Sequence, residues 1–186
     1  MRERPKKGRR NTALSVTFCG LMAALGAGIM IAGGFLGVLT YAAPLIASAC
    51  LIPVMHEFGK SRAWLAYIAT AILSALISAD KEEAFFYIFV GFYPIIRSFI
   101  QRIRPKLPRL LVKLGFFSVA VGAMYSLLCF VFRSEQVLSD LSELGALLTA
   151  LFFAGLIAVL LVFDLLLKFA EAIYVKRLRP KLKFLE

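Results

Sequence analysis

Six apolar stretches, each near the length of one membrane crossing, divide the chain at 12–32, 36–55, 62–79, 83–101, 110–132 and 144 to about 169. An α-helix needs ~20 apolar residues to cross hydrocarbon. No period-two alternation runs through these stretches, which argues against an outer-membrane barrel. The pattern predicts an all-α polytopic membrane protein with six transmembrane helices. Gly33-Gly34-Phe35 is so short a connection that the first two spans are expected to form a tight hairpin. The third span is the weakest, because Ser74, Ser78 and several alanines dilute it. Residues 1–11 read as a basic N-terminal segment, 12–170 as the membrane domain, and 171–186 as a basic amphipathic tail lying at the membrane surface. There is no internal repeat, low-complexity segment or long linker.

Charge then orients the helices. Of the 22 Lys and Arg residues, 19 fall in the N-terminal segment, the second-to-third connection, the region 97–113 and the C-terminus. Lys81 and Arg133 stand on the other side, and Lys168 lies near the inner end of the last span. Positive loops stay inside, so both termini are expected in the cytoplasm of a multi-pass cell membrane protein, in the bacterial cytoplasmic membrane. The net charge of +11 then follows from topology and attraction to anionic lipid. It calls for no nucleic acid, since no soluble domain could carry base contacts. The first apolar stretch is too long for a secretory h-region and is read as uncleaved.

The reactive side chains are sparse. Cys19, Cys50 and Cys129 are odd in number and widely spaced, so neither a disulfide framework nor a metal site is expected. His56 is the sole histidine, which leaves a His-based metal cluster or a Ser-His-Asp triad little to build on. Glu82-Glu83 resembles the paired glutamates of intramembrane CAAX-type proteases. That family would place an arginine where Tyr87 stands and histidines on later spans, so the reading is rejected. No enzymatic activity and no cofactor are expected. Asp164, Lys168 and Glu171 follow an i, i+4, i+7 spacing and can pair along one helix face. Arg97 is expected to snorkel to headgroups. Together they suggest an inner-leaflet charge belt, with a role in coupling to docked subunits as the alternative.

The first span carries two bare stripes, Gly20-Ala24-Gly28 and Ala23-Ala27. Small residues let membrane helices approach closely, so each stripe marks a contact face, internal or intermolecular. A basic N-terminus, Ala23-x-x-x-Ala27 on the first helix, a short hairpin and six spans in a short chain resemble the S components of energy-coupling factor (ECF) transporters. The resemblance implies a subunit that captures a small molecule outside the cell for ATP-driven uptake. Its implied partners are a transmembrane coupling subunit and cytoplasmic ATPases, with docking through Ala23 and Ala27 and with Ala24 and Gly28 alongside. The alternative is a non-transporting scaffold subunit of a cell-shape or cell-wall complex. A lipid-acting enzyme is disfavoured by the missing acid–base groups. A ligand site is expected in the outer half, where Glu83, Tyr87 and Gly91 are four apart on the fourth span. On the fifth, Ser118, Gly122 and Tyr125 follow a matching spacing with Cys129. Acidic residues at 80–83 and 135–143 would favour a cationic or neutral ligand.

Overall fold

In the computed structural model, described for residues 7–36, 39–78, 80–103, 105–130 and 135–178, the described residues form helices joined by short turns, with no strand among them. Side chains of residues 7–12, 36, 106, 128–130, 135–147 and 178 lie outside the description. Helix α1 spans Lys7–Leu36, α2 Ala42–Ala49, α3 Leu51–Phe58, α4 Lys60–Ile77, α5 Lys81–Val90, α6 Tyr93–Ile100, α7 Lys106–Phe130 and α8 Glu135–Ile173. A π-helical turn, Tyr174–Leu178, follows α8. Four stretches are long and apolar enough to cross a membrane: Ala13–Phe35, Lys81–Ile100, Leu107–Leu127 and Leu148–Arg177. A shorter apolar unit covers Ala42–Phe58.

Two prolines explain why two of the expected spans are each split into a helix pair. Proline has no N–H to donate to the carbonyl four residues back and crowds it. Pro53 therefore interrupts the ladder near Cys50, where α2 passes into α3, and Pro94 does so at Gly91 and Phe92, between α5 and α6. The chain tightens at both places, with Cys50 N–H donating to Ala47 O at 3.1 Å and Ile95 N–H to Phe92 O at 3.0 Å. Gly59 makes the sharp turn from α3 into α4 at φ 84°, a region that favours glycine.

Several sequence expectations change. Gly33 and Gly34 lie inside α1, which runs on to Leu36, so the first connection comes later than the glycine pair. The glycines serve close packing instead: a Cβ on Gly33 would overlap that of Ala43. The described part of the basic N-terminal segment, from Lys7, is helix continuous with α1. Residues 135–147, expected as an external connection in part, are already helix, while 131–134 and the tail beyond 178 lie outside the described residues.

The α5–α6 rod is the centre of the bundle. In its apolar window 61% of residues are buried, against 28–33% in the other three long stretches. One side packs on α7 and α8 through Phe86, Val90, Tyr93, Phe117, Met124 and Leu160. The other packs on α1, α3 and α4 through Met30, Leu51, Ala63, Ala66, Tyr87 and Ile95. Helix α4 is inverted relative to a soluble helix: Ala63, Ala66, Thr70, Ala71 and Ser74 face inward, while Leu65, Ile68, Ile72 and Leu76 are exposed. Apolar surface this extensive is not left to water in a soluble monomer, so the bundle is compatible with embedding in a membrane.

Candidate functional site

Polar side chains collect at the two ends of the α5–α6 rod. At one end, Asp164 of α8 is 2% exposed and gathers three donors. Tyr93 Oη donates at 2.8 Å, Arg97 Nε at 3.1 Å and Lys113 Nζ at 2.5 Å. Arg97 and Lys113 are themselves buried. Arg97 Nη1 also donates to Glu171 at 2.7 Å, whose other oxygen lies 3.2 Å from His56 Nε2. Tyr174 in the π-helical turn donates to Glu57 at 3.0 Å. This network joins α3, α6, α7 and α8. Arg97 is thus turned into the bundle rather than snorkelling, because two carboxylates of α8 await it there. Lys168, at 3.6 Å from Asp164, is the more exposed member. Ionisable groups are rare within membrane helices and are held there by partners.

At the opposite end Asp80 caps α5, its carboxylate accepting from Glu82 N at 2.9 Å and Glu83 N at 3.4 Å. Its other oxygen accepts from Thr40 at 2.9 Å. An aspartate in this position satisfies orphan N–H groups of the first turn. The cap fixes the directions of the two glutamates that follow, and successive helical residues diverge by about 100°. Glu82 turns toward α7, where Tyr41 and Tyr125 both donate to its Oε1, at 2.7 and 2.5 Å. Phe86 and Phe152 pack on Tyr41, and Phe152 and Phe153 on Tyr125. The result is a half-buried carboxylate among aromatic rings.

Glu83 turns the other way, toward α1 and α4, and is wholly buried. Its Oε2 accepts from Ser78 at 3.1 Å, while Oε1 has no hydrogen-bond partner among the described residues. Tyr87, one turn on, is equally buried, stacks on Tyr67 at 5.7 Å, and its hydroxyl likewise has no partner. Gly91 sits close against Tyr87, where a Cβ would meet the Tyr87 carbonyl at 2.5 Å.

The six residues expected to line one pocket are therefore not brought together. Glu83 and Tyr87 share the α1–α4 side of α5, whereas Tyr125 meets Glu82 on the α7 side. Ser118 and Gly122 are exposed on the far face of α7, since Phe117, Val121 and Met124 form its buried face. Cys129 has a side chain outside the described residues. Sequence reasoning missed Tyr41 and Lys113. On the first helix, Ala23 and Ala27 are both buried, and Thr70 of α4 donates to Ala23 O at 3.3 Å. Gly20, Ala24 and Gly28 are exposed, and added Cβ atoms at the two glycines would meet nothing. An open groove of about 230 Å³ runs between α1 and α4, lined by Gly20, Ala23, Leu65 and Ala69, with Arg62 among its walls. Among the described residues no group of three or more His, Cys, Asp or Glu side chains could hold a metal ion.

No protein-family model, curated protein or solved structure matches the chain.

Proposed function

We propose that the chain is a six-span protein of the cytoplasmic membrane, with both termini inside, that serves as an S-component-like substrate-binding subunit of an ECF-type transporter. The end holding Asp164 and Glu171 is then cytoplasmic, in keeping with the Lys and Arg residues gathered there. The end holding Glu82 faces outward.

The observation that carries the reading is the carboxylate of Glu82 set among Tyr41, Tyr125, Phe86 and Phe152 at that outer end. Small-ligand sites combine mostly apolar and aromatic walls with a few placed polar groups. A carboxylate with aromatic faces suits a small cationic ligand. The exposed Gly20-Ala24-Gly28 stripe offers a bare face on which a coupling subunit could seat, with Ala23 and Ala27 supporting it from within. Binding tests the site: Glu82→Gln, Tyr41→Phe and Tyr125→Phe should each lose the small molecule retained by the gently purified wild type, while elution and topology stay unchanged. Retention by all three would place the ligand elsewhere.

A second reading, a non-transporting scaffold of a cell-shape or cell-wall complex, draws on the same cluster. The Oε1 of Glu82 is already taken by two of the protein's own phenols, an arrangement that ties the start of α2 to α5 and α7 without any ligand. Co-purification of wall-synthesis or cytoskeletal proteins without ATPases would favour it.

A further inference from the structure

We propose that the seam between α1, α4 and α5 binds a small monovalent cation of the sodium type, with the Glu83 carboxylate as its charged ligand. The seam is polar along its length. Thr70 and Ser74 on α4 and Ser78 just past its end recur every four residues and are all buried. Glu83 and Tyr87, also four apart, lie on the facing side of α5 and are wholly buried. The hydroxyls of Thr70 and Ser74 donate to the carbonyls of Ala66 and Ala71, which leaves their oxygen lone pairs as acceptors. Among the described residues Glu83 Oε1 is buried and without a hydrogen-bond partner, while the Tyr87 hydroxyl lies toward Thr70, farther along the seam.

The charge accounting sets the ligand's valence. No ion pair involves Glu83 among the described residues. The neighbouring Lys81 turns away to the carbonyls of Ala75 and Ser78. Asp80 and Glu82 are engaged on Thr40, Tyr41 and Tyr125. One carboxylate with neutral hydroxyl oxygens matches a single positive charge, whereas a divalent cation recruits more carboxylates, and all-oxygen donors select hard ions. The glycines set the size. A Cβ on Gly33 would stand 2.7 Å from Glu83 Oε1, and one on Gly34 2.8 Å from Oε2. The carboxylate is packed directly against bare α1 backbone, so no organic ligand fits between them. This site lies on the opposite side of α5 from the Tyr41–Glu82–Tyr125 cluster and stands whether or not that cluster captures a substrate.

Thermal unfolding of the full chain in lipid nanodiscs, in sodium, potassium or choline chloride at constant ionic strength and pH, tests the site. The wild type should show a saturable rise in Tm of about 5 °C with sodium over choline. Glu83→Gln should abolish the rise, and Ser78→Ala should raise its midpoint about tenfold. Glu82→Gln, on the other side of α5, should keep it. Isothermal titration of sodium chloride into the wild type in choline buffer should give a saturable heat, which serves even if Glu83→Gln does not fold. Equal wild-type Tm in all three salts with no heat, or a sodium response that survives Glu83→Gln, overturns the proposal. A Tm that depends on pH alone, without discrimination among the salts, means that the group carries only a proton and overturns it as well.

Discussion

Asp164→Asn removes one negative charge from the buried network and almost nothing else. The amide keeps the shape and can still accept from Tyr93 at the carboxylate's 2.8 Å position. What remains is two buried cations: Arg97 keeps Glu171, which is 32% exposed, and Lys113 loses its anion. Removing one partner of a buried ion pair costs about 3–5 kcal/mol, because the other charge stays desolvated. For a chain of this size that predicts a fall in Tm of roughly 10 °C. Glu171→Gln, at the half-exposed edge, should cost only about 1 kcal/mol. Adding Lys113→Met to Asp164→Asn removes one stranded cation and should recover about 1–3 kcal/mol of the loss. The single tryptophan, Trp64, stacks on Phe92 at 5.7 Å and reports unfolding by fluorescence. An Asp164→Asn protein within about 1 kcal/mol of wild type, or a double variant no better than the single, would mean that Asp164 does not offset the buried cations.

Further outcomes follow from packing and charge. Gly33→Ala drives a Cβ against Ala43 and the Glu83 carboxylate and should cost about 1–3 kcal/mol, whereas Gly28→Ala meets open space and should be neutral or stabilise by up to about 1 kcal/mol; chemical unfolding compares the two. Ala23→Leu with Ala27→Leu should disturb the monomer's elution profile, because both positions are buried in the bundle. Ala24→Leu with Gly28→Leu should leave elution intact and abolish partner co-purification. Reporter fusions after Glu186 and within 102–109 should report cytoplasm, and one within 134–140 the outside; an external C-terminus would overturn the six-span topology.

Hydropathy alone made the helices legible, and the short acidic run at 80–83 pointed to one end of the bundle. The kinks were also written in the chain, at Pro53 and Pro94, but a hydropathy window does not register a missing N–H. Lys113 left a usable signal: it continues the Phe117, Val121 and Met124 face by helical spacing, which marks it as inward. Which side of a membrane helix meets lipid is harder to read, because both sides are apolar. On α4 the small residues face inward, yet on α7 Ser118 and Gly122 face outward, so a small or polar stripe does not identify a lining. The divergence of Glu82 and Glu83 depends on the Asp80 cap and on which helices flank α5. Only the assembled bundle reveals that two consecutive acids serve different seams.

Native mass spectrometry of the protein gently extracted from its own membrane decides whether the chain works as a transporter subunit. The expected species is a complex containing one coupling subunit and cytoplasmic ATPases, with a small cationic molecule bound to this chain and lost in Glu82→Gln. A chain that flies alone without ligand, or only with wall-synthesis or cytoskeletal proteins, would contradict it.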